Sequence, residues 1–124
     1  VLRRGGVKAG LVTLRAFRPF PAGELAAALS LLQAVAVLDR ADSAGSPGGP
    51  LFTDLRAALH GHDGGPRVVS YVYGLGGRDI GPEDLRRVYQ RLLRLTAGAE
   101  EDGGVCEYLT LREGPGVTVP AGGA

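Results

Sequence analysis

The residues best suited to chemistry lie in the stretch YVYGLGGRDIGPED, positions 71 to 84. An apolar run ends in a glycine-rich turn, a basic and an acidic residue follow, and Pro82 then marks a helix start. A strand, a glycine turn and a helix N-terminus together can grip a phosphate group. The candidate residues of this turn are Gly74, Gly76, Gly77, Arg78 and Asp79.

The glycine spacing does not match the known nucleotide-binding motifs. A dinucleotide fingerprint needs a third glycine where Asp79 stands, and a P-loop needs a lysine, whereas the only lysine is Lys8. We therefore interpret the glycines as residues that let the chain turn sharply or approach another backbone closely. We expect Arg78 and Asp79 to hold the loop or to contact a partner surface. A free-standing nucleotide- or anion-binding α/β module is the alternative.

A second group of candidates follows the apolar run AVAVL, residues 34–38. Asp39 and Arg40 end this run, and a loop of Ser, Gly and Pro leads to Gly48, Gly49 and Pro50. The charged residues are either an acid and an electrostatic clamp in a site or a salt-bridged pair that fixes the loop. We favour the salt-bridged pair, since no nucleophile is nearby. The helix that begins at Pro50 could also present N–H groups to an anion.

The remaining polar residues form no complete catalytic constellation. His60 and His62 flank a glycine without a cluster of further ligands, which is typical of a solvated surface. Cys106 has no basic neighbour in sequence, so we expect a small apolar residue rather than a nucleophile. No serine stands in a nucleophile elbow. We predict no catalytic residue and no metal ligand in this chain.

Alternating strand and helix patterns surround these residues. Apolar runs predict strands, leucines at helical spacing predict helices, and Gly or Pro separates them. The predicted strands are Val7–Phe17, 34–38, Val68–Tyr73 and Tyr108–Leu111, and the predicted helices are 21–32, 50–61 and 82–95. This order predicts an α/β domain with a mainly parallel sheet and helices on both faces. The loops after the first three strands, including RPFP with Arg18, should gather at one edge.

The third helix has a pattern specific enough to predict its orientation. Its buried stripe should be Leu85, Val88, Leu92 and Leu95, with the arginines on the other face. Gly81 should be the N-cap, and the Asp84 side chain should accept from an exposed N–H group of the first turn.

Bulk composition restricts the class of protein. A chain of 124 residues with 44% hydrophobic residues forms one domain with a real core. The net charge of +1 gives no field for nucleic acid or an acidic membrane, and no segment is long and apolar enough to span one. One cysteine is typical of a cytoplasmic protein. The sequence has no Met and opens on VLRRGG, which resembles a helix end, so we expect a segment of a longer polypeptide.

Three stretches together resemble one known family. They are LRAFRPFP, AVAVLDRADSAGSPGGPLF and YVYGLGGRDIGPED, and in this order they are similar to the second domain of pyruvate:ferredoxin oxidoreductase. The ending EYLTLRE resembles the terminal strand of that domain, so the resemblance covers Val7 to Glu113. It implies a partial transketolase C-terminal-like domain over residues 1–113, without the family's first strand, and a flexible tail over residues 114–124.

The resemblance also implies a function. The parent enzyme oxidatively decarboxylates a 2-oxoacid, forms an acyl-coenzyme A and reduces ferredoxin, using thiamine diphosphate, magnesium and 4Fe-4S clusters. Those cofactors would bind to other domains or subunits, and this domain would pack against them as a structural element. The motifs DR…GGPLF and GLGGRD look pyruvate-type. A C-terminal domain of another thiamine enzyme is a further alternative, which the GLGGRD loop argues against.

Overall fold

A computed structural model describes residues 3–101 and 106–109 of the chain. Its helices are α1 (Ala22–Leu29), α2 (Pro50–Leu59) and α3 (Pro82–Thr96), with short 3-10 turns at Arg3–Gly5 and Leu75–Gly77. Its strands are β1 (Ala34–Asp39), β2 (Arg67–Val72) and β3 (Glu107–Tyr108). The predicted end of the last strand at Leu111 and the predicted tail from residue 114 lie outside the described residues. None of the helices in the described ranges could cross a membrane.

The strands form a parallel sheet in the order β1-β2-β3, which confirms the predicted α/β class. The register places Ala34 opposite Arg67 and Asp39 opposite Val72, so β1 and β2 end together. The shorter β3 pairs only with the end of β2, where Val72 lies opposite Tyr108. The carboxyl ends of all strands therefore meet at one edge of the sheet, which we call the C-edge.

Helices cover both faces of the sheet. Alternate side chains of β2 point to opposite faces, so neighbouring residues of this strand contact different helices. Val68 packs with the buried residues of α1 and α2, whereas Val69 and Tyr71 pack with α3. The first of these cores contains Leu25, Ala26, Leu29, Val37, Phe52, Leu55, Leu59 and Val68. Phe52 is the bulkiest fully buried side chain of this core. Tyr71 is the bulkiest one in the core on the α3 face, so each face of the sheet has one buried aromatic ring.

The predicted first strand, Val7–Phe17, is wrong. These residues are extended without strand pairing, and Leu11 is 87% exposed. The segment reaches both faces of the sheet: the Gly10 carbonyl accepts from the Tyr89 hydroxyl of α3, and Leu14 packs against the α1–α2 core. Alternating apolar residues form a strand only where a neighbouring strand completes the hydrogen-bond ladder. Among the described residues, β1 pairs with β2 alone, so the other edge of β1 offers no paired strand here.

The predicted burial of α3 is correct in part. Val88 and Leu95 are buried, but Leu85 is 38% exposed. Arg91, expected on the outer face, is instead 6% exposed and belongs to the buried stripe. Arg91 lies three residues after Val88 and four before Leu95, so helical geometry places all of these on one face.

Candidate functional site

The C-edge brings together two of the predicted loops, and Asp39 is its most buried charged residue, at 5% exposure. Its Oδ1 accepts from the backbone N–H of Leu51 at 3.0 Å, and its Oδ2 accepts from that of Phe52 at 3.1 Å. These donors are the first N–H groups of α2, which have no partner within the helix. Burial raises the pKa of the Asp39 carboxyl, and the two N–H donors act in the opposite direction. Asp39 is thus the internal anion at the start of α2.

Gly48 and Gly49 allow this arrangement, because both approach other groups too closely for a side chain. A Cβ on Gly49 would collide with the carboxylate of Asp39. A Cβ on Gly48 would collide with the Phe52 ring and with the Ser70 hydroxyl. Both glycines are buried. Glycine is therefore required by packing at both positions before α2.

Arg40 does not pair with Asp39, so the predicted salt bridge is wrong. The guanidinium of Arg40 lies over the Tyr73 ring, 5.6 Å from its centroid. It also lies beside Gly74, where an added Cβ would be 3.2 Å from Arg40 Nε. Adjacent residues of a strand point to opposite sides, so Asp39 turns toward α2 while Arg40 turns toward the glycine loop. We call Arg40, Tyr73 and Gly74 the Arg40 seat.

The glycine turn has the backbone shape that its sequence predicts. Gly74, Gly76 and Gly77 have φ angles of 73°, 70° and 75°, a left-handed conformation that side chains resist. Gly76 and Gly77 are exposed and have open space around them, so backbone angle alone requires glycine there. Arg78 is half-buried, and Asp79 is exposed. The predicted cap of α3 is confirmed, since Asp84 Oδ2 accepts from the Gly81 N–H at 2.9 Å.

Arg18 of the RPFP loop lies apart from the Arg40 seat. Its Nη1 forms a salt bridge of 2.8 Å with Asp54 Oδ2, in the middle of α2. The segment before it is not a strand, so this loop does not follow a strand end as predicted. Its nearby Phe20 packs against the α1–α2 core, which fixes the entry to α1.

Strand β3 brings the Tyr108 hydroxyl to the C-edge, and the residue just before the strand is Cys106. The Tyr108 hydroxyl donates to Asp42 Oδ2 at 2.6 Å, and this bond raises the pKa of Tyr108 to about 12. The buried Ser70 hydroxyl donates to Cys106 Sγ at 3.3 Å. Burial raises the pKa of the Cys106 thiol, so the thiol form is favoured and a nucleophilic thiolate is not. Cys106 is half-buried, and the expectation that it is a small apolar residue rather than a nucleophile stays a prediction.

Arg91 is the polar residue that sequence reasoning missed. Its guanidinium forms salt bridges of 2.8 Å with Glu100 and 2.6 Å with Glu107, and a long hydrogen bond of 3.4 Å with the Tyr71 hydroxyl. The hydrogen bond from Arg91 lowers the pKa of Glu100. Glu107 belongs to β3 and Tyr71 to β2, so Arg91 joins α3 to the second half of the sheet. Its burial could have been predicted from its spacing in the sequence, three residues after Val88 and four before Leu95, which places it on the apolar face of α3.

Metal-binding potential is weak in the described part of the chain. His60 and His62 are both exposed. Residues 3–101 and 106–109 contain no group of three His, Cys, Asp or Glu side chains that could hold a metal ion. The described carboxylates of the C-edge serve as internal acceptors instead: Asp39 for α2 and Asp42 for Tyr108.

Comparison with known proteins connects these loops to one family. The family model described as pyruvate:ferredoxin oxidoreductase core domain II matches residues 1–85, more than half of the chain. This range includes the RPFP loop, the loop from Asp39 to Pro50 and the glycine turn, and it ends in the first turn of α3.

Individual relatives are similar over shorter stretches. Pyruvate synthase subunit PorA of Methanosarcina barkeri is 40% identical over 58 residues, 47% of this chain and 14% of the relative. Pyruvate-flavodoxin oxidoreductase of Rhodospirillum rubrum is 46% identical over 55 residues, 44% of this chain and 5% of the relative. Ketoisovalerate oxidoreductase subunit VorA of Pyrococcus horikoshii is 43% identical over 60 residues, 48% of this chain and 15% of the relative.

These relatives are much longer proteins, of which the matched stretch covers only 5 to 15%. Two of these relatives are named for pyruvate and one for ketoisovalerate. Since the family model spans most of the described loops and helices, the chain belongs to the pyruvate:ferredoxin oxidoreductase core domain II family.

Proposed function

We propose that this chain is a structural and interface domain of a cytoplasmic, thiamine-dependent pyruvate:ferredoxin oxidoreductase. The whole enzyme converts pyruvate, coenzyme A and oxidised ferredoxin to acetyl-coenzyme A, carbon dioxide and reduced ferredoxin. The chain is not catalytic alone. Its partners are the other domains or subunits of that enzyme, and ferredoxin is reached through the complex.

One observation carries the structural role: the carboxylates of Asp39 and Asp42 at the C-edge accept hydrogen bonds from groups of the chain itself. Asp39 accepts from the first N–H groups of α2, and Asp42 accepts from Tyr108. A general acid or base needs a proton-accepting atom that faces a substrate. Asp39 instead holds the start of helix α2, and Asp42 holds strand β3, so both carboxylates support the structure of this edge.

The cofactors of such an enzyme do not fit the residues of this segment. A 4Fe-4S cluster takes cysteine ligands, and the sequence has one Cys, whose sulfur accepts from Ser70. Magnesium beside a diphosphate needs available carboxylates, whereas both oxygens of Asp39 already accept hydrogen bonds. We therefore assign thiamine diphosphate, magnesium, the clusters and coenzyme A to other parts of the enzyme.

The proposed substrate is pyruvate, on the basis of the DR…GGPLF and GLGGRD motifs. The relatives include pyruvate enzymes and a ketoisovalerate enzyme at similar identity, 40 to 46%. Turnover of the complete enzyme with pyruvate, 2-oxoisovalerate and 2-oxoglutarate separates these possibilities. A specificity constant that is highest for 2-oxoisovalerate would contradict the pyruvate assignment and favour a function like that of the ketoisovalerate relative.

Substitution of the glycine-turn charges tests the interface role. In the complete oxidoreductase, we expect Asp79→Ala and Arg78→Ala to lower the fraction of assembled complex, measured by size-exclusion chromatography with light scattering. Turnover per assembled complex should stay near that of the wild type, because neither side chain takes part in chemistry. Asp79 is the cleaner site, since it is exposed and its loss disturbs little within the domain.

Glu83→Ala is the matched control. Glu83 is an exposed acid four residues further on, and it pairs with Arg86 on its own helix. Its removal should leave both assembly and turnover unchanged. Normal assembly of the Asp79→Ala enzyme together with lost turnover would refute the division of labour that we propose.

A further inference from the structure

Arg40 is an exposed cation held in a defined position at the C-edge. Its guanidinium lies over the Tyr73 ring, and its Nε and Nη2 lie on the side of Gly74 where a Cβ would be. A Cβ at Gly74 would approach those two nitrogens to 3.2 and 3.4 Å, so glycine leaves room for the guanidinium as well as permitting the φ angle of 73°. Stacking restricts the side chain before any partner arrives, which reduces the entropy cost of forming an ion pair.

The acidic residues nearest to Arg40 in sequence are already engaged. Asp39 accepts from Leu51 and Phe52 on the α2 side, and Asp42 accepts from Tyr108. Among the described residues, Arg40 forms no salt bridge, whereas Arg18, Arg86, Arg87, Arg91 and Arg94 each pair with a carboxylate of the chain. The Arg40 seat is therefore a positioned positive charge whose counter-charge does not come from these residues.

We propose that the Arg40 seat receives a carboxylate, from an Asp or Glu side chain, on the neighbouring domain or subunit of the oxidoreductase. This inference rests on the proposed interface role and names its chemistry. The seat lies where β1 ends and the glycine turn begins, so one acidic side chain there contacts both motif loops at once. The relatives are many times longer than the matched segment, which leaves ample further chain for such a neighbour.

A carboxylate fits this seat better than a phosphate group. A single guanidinium matches a carboxylate with two parallel hydrogen bonds. A phosphate site needs additional N–H donors, and the first N–H groups of α2 already donate to Asp39. The open space around Gly76 and Gly77 lets another backbone approach the seat from outside.

Zero-length cross-linking tests the proposal in the complete enzyme. A carbodiimide joins a carboxylate to a primary amine that touches it, and it does not join arginine. Because Lys8 is the only lysine of this chain, Arg40→Lys introduces a nearly unique amine at the seat. After treatment and proteolysis, mass spectrometry should find a cross-link from position 40 to an Asp or Glu outside residues 1–124. The link should weaken as ionic strength rises.

Arg56→Lys is the matched control. Arg56 is also exposed and also stacks on an aromatic ring, that of Phe52, at the same 5.6 Å, but it lies on α2 away from the glycine turn. It should give no link to another domain. Absence of a link at position 40, or links only to carboxylates within residues 1–124, overturns the Arg40 proposal. If assembly still depends on Asp79 in that case, the interface role stands and only the assignment of Arg40 fails.

Discussion

Asp39 and Gly49 depend on each other at the scale of single residues. The carboxylate reaches the first N–H groups of α2 only because Gly49 has no side chain in the way. A helix start normally receives a cap from the residue just before it. Here the acceptor comes from the end of β1, ten or more positions earlier in the chain, so the capping contact also joins a strand to a helix.

Substitution of Gly49 by Ala should destabilise α2. Its Cβ would overlap the Asp39 carboxylate, and overpacking of this kind costs about 2 kcal/mol, or roughly 30-fold faster amide exchange through local opening. Hydrogen exchange with mass spectrometry on peptides that cover residues 50–59 measures this change. Gly23→Ala is the control, because Gly23 lies in α1 with open space around it.

The control substitution should act in the opposite direction. An alanine in a helix is more stable than a glycine by about 0.5–1 kcal/mol, so exchange in α1 should slow by a few-fold. Equal effects of the two substitutions would show that the contact between Gly49 and Asp39 does not matter for stability.

Helix α3 shows how an element can be fixed by one buried cation. Arg91 lies under the helix and binds Glu107 of β3, and through Glu100 it also holds the chain just after the helix. Strand β3 pairs with only two residues of β2, Tyr71 and Val72, so its backbone ladder is short. The ion pairs of Arg91 are therefore a main attachment of β3 to the domain.

Substitution of Arg91 by Met should release β3. Methionine keeps most of the apolar contact but leaves Glu107 without its cation, whereas Glu100 still pairs with Arg94. We expect amide exchange in residues 106–109 to rise about ten-fold, with a smaller change in α3 itself. Arg86→Met is the control, since Arg86 makes an exposed pair with Glu83 within one helix. A similar loss from both substitutions would contradict the anchoring role.

The sequence predicted those elements whose signals are local. The apolar run before Asp39, the leucines after Pro50 and the cap at Gly81 each contain their own evidence within a few residues, and β1, α2 and α3 lie where expected. The strand at Val7–Phe17 failed because a strand needs a partner that its own pattern does not describe. The partner of Asp39 was missed for a related reason: the neighbour in sequence was chosen over the N–H groups beyond the next loop.

At the scale of the whole molecule, one edge of the sheet has no strand partner among the described residues, and exposed leucines lie beside it. Strand β1 is a sheet edge without charge or proline along Ala34–Leu38, the usual protections of an edge strand. Leu31 and Leu32, just before β1, are 92% and 47% exposed. Surfaces of this kind are typical of contacts with another domain, which agrees with the much greater length of the relatives.

This surface predicts the behaviour of residues 1–124 produced alone. We expect the chain to self-associate, and Leu31→Lys to reduce that association by about ten-fold, because one leucine contributes roughly 1.5 kcal/mol or more when buried. Sedimentation velocity over a range of concentrations measures it. Gln33→Lys, which adds the same charge at an exposed polar position nearby, is the control. A monomeric wild-type chain, or an equal effect of both lysines, would be inconsistent with an apolar contact at Leu31.

The carboxylate of Asp39 at the start of α2 has a consequence for thermodynamic linkage. A protein gains stability from a ligand only through sites that the folded state offers to it. The first N–H groups of α2 already donate to a carboxylate of the chain itself, so phosphate or nucleotide would have to displace Asp39 to bind them. Phosphate or nucleotide therefore adds no stability through the start of α2, where the contact with Asp39 holds strand and helix together without a ligand.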